Sequence, residues 1–420
     1  MNYSMFLYID PATGGMLFTI LFGMISAVMY FLRSIIIKFK YTIGGNVRKK
    51  DNTIKLPIVI FSDHKRYWNV FEPICDEIES REQKAYYYTM SEDDPALEKS
   101  YNYIICEYIG NGNKAFSKLN ILKAYIVLST TPSLDVFQWK RSKDVDYYIH
   151  IPHMASDITM YRMFGTDYYD ALLLSGEYQE KQIRQLEKLR NLPQKEIKLV
   201  GIPYMDVMKR RFDADRENGG ESGKNIDDIK VLVAPSWGDN GLLKRYGERL
   251  IDALAGTGYH IIIRPHPQSF INEKKMLTKL MNKYEDNINI EWNRDNDNYK
   301  VLKKSDIMIS DFSGVIFDFT LVYDKPVIYT EANFDKSVYD CAWIDDELWT
   351  FSILDKLGME LNEDKIGNMK GIIDECIKDD RYALGRDLAR KETWVNIGES
   401  TGIVVDYIID KYNKLLKISE

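Results

Sequence analysis

Two stretches, IIIRPHP at residues 261–267 and SDIMISDFSGVIFDF at residues 305–319, decide how this chain is read. Each is an apolar, largely β-branched run that stops abruptly at polar residues. That is how a buried parallel strand delivers functional groups to the carboxyl edge of a sheet. In the second stretch, residues 306–310 are the expected strand, Asp311, Phe312, Ser313 and Gly314 the turn, and residues 315–323 a helix whose free N–H groups point at the turn. This is the pattern of an anion site: Ser310 and Ser313 add hydroxyl donors, Gly314 lets a ligand approach the backbone, and Val315 offers a first-turn amide. Arg264 and His266 end a neighbouring strand with cationic or hydrogen-bonding groups. A Ser-Gly helix start by itself is more often a simple N-cap. The companion RPHP changes the balance, because Pro265 and Pro267 stiffen the backbone on both sides of His266 and hold its imidazole at a strand exit. Together the two strand ends suggest a bound diphosphate.

The same alternation of short apolar runs and amphipathic segments extends in both directions. Residues 57–63, 85–90, 103–108, 124–130, 171–176 and 198–203 read as parallel strands of a doubly wound α/β domain. Residues 209–228, KRRFDADRENGGESGKNIDD, then drop to charge and glycine and read as an interdomain linker. A second domain restarts with strands at 231–236, 259–264, 288–290, 306–310 and 326–329, and with a helix that carries Leu242, Tyr246, Leu250 and Leu254 at i, i+4 spacing. Residues 398–417 form a final amphipathic helix. The expected division is a membrane anchor with a basic flank at 1–50, a first Rossmann-like domain at 51–208, the linker, and a second Rossmann-like domain at 229–420 that includes the final helix. GNG at residues 110–112 lacks the third glycine of a dinucleotide fingerprint and reads as a turn.

At 420 residues, 45% apolar and 28% charged, the chain is long enough for two such domains after an N-terminal extension. A formal net charge of −7 argues against nucleic acid as the main partner, so any anion site must be local. Four scattered cysteines, Cys75, Cys106, Cys341 and Cys376, form no CxxC pair or Cys/His cluster, which suits a reducing compartment and gives no metal site. Residues 16–32 carry no charge, and residues 34–37 extend the apolar run beyond Arg33. As a helix the whole stretch reaches about 33 Å, enough to span a bilayer. Asp10 and the lack of any Lys or Arg before residue 16 argue against a signal peptide. Lys38, Lys40, Arg48, Lys49 and Lys50 follow the run, so the positive-inside bias keeps the later domains in the cytoplasm. A segment lying in the inner leaflet is the alternative. Either arrangement attaches the chain to the cell membrane.

RPHP, then SDxxISDFSGVxFDF, then KPVIYT at 325–330 resemble the donor-binding half of the CDP-glycerol glycerophosphotransferases of teichoic-acid synthesis, and VLVAPSWGDNGLL at 231–243 resembles that family's APTW segment. Four motifs in this order over roughly a hundred residues make the resemblance specific. It implies a two-domain GT-B architecture, with a CDP-glycerol or similar CDP-polyol donor in the second domain and a lipid-linked or glycan acceptor facing it from the first. No separate cofactor is implied. His266 would stabilise or protonate the phosphate oxygens as CMP leaves, with Arg264, Ser310, Asp311, Ser313, Gly314 and Val315 around the phosphates.

For a base, the first domain offers HIPHMASD at 150–157, which holds two of the five histidines. A histidine near its ordinary pKa suits general-base work at neutral pH. The family's counterpart is a His-Gly pair after a strand, best matched by His153, and here Met154 replaces the glycine. A histidine that merely caps a helix or pairs with Asp157 is the structural alternative. Asp157 and Arg162 are candidates to orient His153 or hold an acceptor phosphate. Ser236 and Trp237 are candidates for nucleotide contact, and Asp318 for the ribose. Two rival functions share these features: a glycosyl transferase using a nucleotide sugar, and a membrane-tethered nucleotide-binding homologue without turnover.

Overall fold

The computed structural model describes residues 55–218, 229–295, 297–331 and 334–419. The uncharged segment at 16–32 lies outside them. Among the described residues no helix is long and apolar enough to cross a membrane.

Two all-parallel sheets organise the chain. The first contains β1 (Leu56–Ser62), β2 (Ala85–Thr89), β3 (Ile104–Tyr108), β4 (Ala124–Ser129), β5 (Val145–His150), β6 (Ala171–Leu174) and β7 (Glu196–Leu199), in the order β3-β2-β1-β4-β5-β6-β7. The second contains β8 (Lys230–Val233), β9 (His260–Ile263), β10 (Ile290–Trp292), β11 (Ile307–Ser310), β12 (Val327–Thr330) and β13 (Gly358–Leu361), in the order β10-β9-β8-β11-β12-β13. The central strands are sealed on both faces: Ile58, Val59, Ile60 and Phe61 in β1, and Ile307, Met308 and Ile309 in β11, have no exposed surface. Continuous β-branched runs of this kind suit strands that have helices on both sides. In each sheet the strand order reverses at one point, between β1 and β4 and between β8 and β11. The loops that leave the carboxyl ends there splay apart and open a crevice.

Some expected boundaries shift. Residues 209–218, expected as linker, continue the helix Pro203–Asn218. Its charged side chains find partners on the second half, with Asp215 bonded to Tyr299 and Lys303 at 2.6 Å each, which the polar composition alone does not reveal. Pro203, placed at the end of a strand by the sequence reading, begins this helix, where its missing N–H costs nothing. The strand before it is Glu196–Leu199. The run at 288–290 gives way to β10, and Ile288 lies 92% exposed. The closing strand β13 was not among the expected strands.

The final helix, Ser400–Ser419, does not stay with the second domain. Val404, Val405 and Ile408 are fully buried in the core that also holds Ile58, Ile60 and Ile126 of the first sheet, each contributing about 1.5–3 kcal/mol of apolar burial. Arg81 pairs with Asp406, and the Tyr125 and Tyr412 rings meet edge to face at 5.5 Å. The chain therefore crosses from the first half to the second and back again.

Three buried aspartates hold the halves together. Asp157 accepts from the amides of Trp349 at 3.1 Å and Thr350 at 2.7 Å, and its own N–H donates to the Thr350 hydroxyl at 2.9 Å. Asp206 accepts from the Trp394 indole and from the amides of Gly398 and Ser400, all at 2.9 Å. Asp340 accepts from the amides of Phe164 at 2.7 Å and Gly165 at 2.9 Å and pairs with Arg190 at 2.5 Å. The Arg190 guanidinium lies between the Phe164 and Trp343 rings, 5.0 Å from each centroid, and also binds Asp167 at 2.8 Å. Because Asp340→Ala leaves the buried Arg190 with Asp167 as its one carboxylate and the Phe164 and Gly165 amides without their acceptor, we expect it to cost about 3–5 kcal/mol in urea unfolding, and adding Arg190→Met, which takes the cation from the buried Asp167, to recover none of it. A loss below about 1 kcal/mol would mean that the clasp behaves as a solvated surface pair.

Candidate active site

The crevice is built from strand ends. On the first half, β1 runs out into Asp63 and the short turn Lys65–Tyr67, β4 into Thr130 and Thr131, and β5 into His150 and His153. Buried polar side chains gather here: Thr130 Oγ1, His150 Nδ1 and His153 Nδ1 have no hydrogen-bond partner, and the Asp63 carboxylate faces the Thr131 hydroxyl. Buried polar atoms normally find partners, and a cluster that does not is arranged to receive a polar ligand or ordered water.

The two histidines of the first half differ in access. His150 is completely buried, shares a 3.2 Å hydrogen bond with the Tyr161 hydroxyl through Nε2, and is held neutral by burial, with its pKa down to about 3. His153 lies further out, its ring 4.8 Å from Tyr67 and 6.3 Å from Tyr161. Burial, and then the charge of Arg66, bring its pKa down to about 4. At neutral pH it is therefore uncharged with a free lone pair, but its basicity lies below that of the ordinary imidazole expected from the sequence.

On the second half, His266 accepts the Gln268 amide on Nδ1 at 3.1 Å, which leaves the neutral ring with its proton on Nε2. Burial lowers its pKa first, and Arg66 second. Arg66 thus acts electrostatically on both His153 and His266. It is exposed on the turn after β1, over the Tyr67 ring at 5.4 Å. The sequence reading missed it. The signal was available, since FSDHKRYW repeats at the end of β1 the logic of RPHP, a β-branched run broken by a histidine and cations.

The expected donor-site residues separate into two groups. Ser313 and Gly314 are partly exposed, and the amides of Gly314 and Val315 head the helical segment, whose first-turn N–H groups lack intrahelical partners. That segment is one short α-turn, Val315–Phe317, followed by a wider turn over Asp318–Val322. Ser310 is fully buried and donates its hydroxyl to the Ala234 carbonyl at 2.6 Å, so it ties β11 to β8 and has no donor left for an anion. Asp311 is fully buried as well and accepts from the amides of Ser236 at 3.0 Å, Leu242 at 2.8 Å and Phe312 at 2.8 Å. A carboxylate used in this way shapes the loop that presents Ser236 and the half-exposed Trp237, and it faces no phosphate. Arg264 is partly buried and binds Asn293 with one Nη.

Three further candidates take structural positions. Asp157 is 2% exposed and fully engaged in the clamp described above, which leaves no room for an acceptor role. Arg162 is exposed, with its backbone bridged to Tyr339. Asp318 accepts from the Tyr204 hydroxyl at 2.9 Å across the seam, and burial raises its pKa to about 7, so it bonds the first half rather than a ribose. The two halves also touch at the donor turn itself, where the Met154 side chain lies against Gly314. Among the described residues, no group of three or more His, Cys, Asp or Glu side chains is arranged to hold a metal ion.

Residues 138–342, just under half of the chain, match the family model of the CDP-glycerol:poly(glycerophosphate) glycerophosphotransferases, and the match spans His153, His266 and the DFSG turn. Among solved structures, the wall teichoic acid polymerase TagF aligns at 16% identity over 93% of this chain and 97% of its own, with a TM-score of 0.57. A UDP-GlcNAc 2-epimerase from Neisseria meningitidis bound to UDP-GlcNAc aligns at 13% identity over 84% and 99%, with a TM-score of 0.54. MnaA from S. aureus with UDP aligns at 13% identity over 86% and 98%, with a TM-score of 0.53. None of the curated proteins matches the chain. At these identities the structural likeness shows the fold alone, a GT-B-like pair of α/β halves.

The position of Arg66 has a measurable consequence. Replacing it with alanine removes a positive charge that disfavours both imidazolium ions, so the pKa values of His153 and His266 should rise together in a histidine NMR titration while that of His150 stays put. Movement of only one of the pair would place Arg66 outside the space between them.

Proposed function

We propose that this chain, a transferase of the CDP-glycerol glycerophosphotransferase type, moves glycerol phosphate or a similar polyol phosphate from a CDP-activated donor to a hydroxyl of a lipid-linked or glycan acceptor and releases CMP. The observation that carries this reading is the pair His153 and His266, one from each half, inside the matched family segment and both under the charge of Arg66.

In this reading the diphosphate lies between the Gly314 turn and the RPHP strand end. Amides of Gly314 and Val315 and the Nε2–H of His266 donate to its oxygens, and Arg66 adds positive charge from the facing half. His153 takes the proton of the acceptor hydroxyl. The acceptor oxygen forms a bond to the β-phosphorus as the bond from that phosphorus to the bridging oxygen breaks, and CMP leaves with the electron pair. The protein forms no covalent bond, so position and charge do the work. The arriving phosphates offset the Arg66 charge, which raises the basicity of His153 when the base is needed. The uncharged run at 16–32 and the basic residues after it support attachment to the cell membrane, with the catalytic halves on the cytoplasmic side close to lipid-linked acceptors.

The test is nucleotide release by the membrane-embedded protein with CDP-glycerol, CDP-ribitol and a set of nucleotide sugars. CMP should appear from a CDP-polyol, and His266→Ala and His153→Ala should each lower the rate by about 10²–10⁴-fold. The acid limb of kcat/KM should fall near pH 4, where His153 gains its proton. UDP or CDP release would replace this reading with glycosyl transfer. Nucleotide binding without turnover would replace it with a binding protein.

A further inference from the structure

The contact between Met154 and Gly314 joins two elements of the site. Gly314 has φ −58°, a helical value open to any residue, so backbone conformation does not require glycine there. Space does. A Cβ added at Gly314 would sit 3.0 Å from Met154 Sδ, 3.7 Å from its Cβ and 3.8 Å from its Cε. The thioether side chain therefore lies flat on the glycine that heads the helical segment, and it comes from the residue next to His153.

Resting on the function proposed above, we infer that Met154 is a size-selecting residue, which limits the transferred group to a short polyol. In that reading the polyol hangs from the β-phosphorus, which lies between the Gly314 turn and the acceptor oxygen at His153, and Met154, against Gly314 and next to His153 in the chain, stands beside it. A three-carbon glycerol leaves the thioether in place. A five-carbon polyol has to displace it from Gly314. Methionine is unbranched and adaptable, so the result is a graded preference rather than a complete block. Its partly exposed position means that truncation opens the crevice without emptying a core site.

The test compares CMP release from CDP-glycerol and CDP-ribitol by the full-length wild-type protein and by Met154→Ala, Met154→Gly and Met154→Leu, with thermal unfolding recorded for each. Wild-type protein should favour CDP-glycerol in kcat/KM by about tenfold or more, as expected when a pocket discriminates small size differences. Met154→Ala and Met154→Gly should narrow the ratio by about tenfold through a gain with CDP-ribitol, while Met154→Leu, similar in volume, keeps it. An active Met154→Ala whose ratio stays within about twofold of wild type overturns the size filter and leaves the transfer reaction standing. So does a wild-type preference for CDP-ribitol. Failure of wild-type protein and all variants to release CMP from either donor overturns the transfer reaction, and the filter falls with it.

Discussion

A buried carboxylate that accepts backbone N–H groups from the opposite half is the interaction on which the rest of this structure depends. Asp157, Asp206 and Asp340 are 1–2% exposed, and each has left water for donors supplied by a segment far away in sequence. Burying a charge costs several kcal/mol unless its hydrogen bonds are replaced, so such a carboxylate tolerates few positions of its donors. In this way the seam reinforces the packing of two halves that also share an apolar core and the contacts of Asp215, Asp318 and Met154. Asp311 repeats the device within the second half, where it sets the loop that carries Ser236 and Trp237.

That packing allows a single exposed arginine to act on two histidines from different sheets. Arg66 belongs to the first half, and His266 to the second. The chain is acidic as a whole, yet the crevice gathers Arg66, neutral imidazoles and first-turn amides where an anion would sit. An overall charge of −7 and a locally positive crevice do not conflict, because solvent screens the distant carboxylates more strongly than it screens neighbours in a partly buried crevice.

The sheets were legible in the sequence because burial on both faces demands long β-branched runs, and these end abruptly at polar residues. RPHP and DFSG were found for that reason. The roles of individual polar residues were less legible. Ser310 and Asp311 look alike as strand-end donors or acceptors, but their partners Ala234, Ser236 and Leu242 lie some seventy residues earlier, and only folding shows that the hydroxyl and the carboxylate are already engaged. Asp157 was misread in the same way, since its partners are Trp349 and Thr350. The helical continuation to Asn218 was hidden by charge that the second half pairs, through Asp215. Arg66 was overlooked although FSDHKRYW ends its strand as RPHP does, because what makes it matter is its nearness to His266 of the other sheet, which only folding brings about.

The position of Asp206 has a mechanical consequence. It lies on the helix that carries the chain out of the first half, and it binds Gly398 and Ser400, where the chain returns. One side chain thus pins both crossings together, like a spindle through the two leaves of a book. The exit from the first half and the return to it are therefore held at one point, and shifting either crossing on its own must break bonds at Asp206.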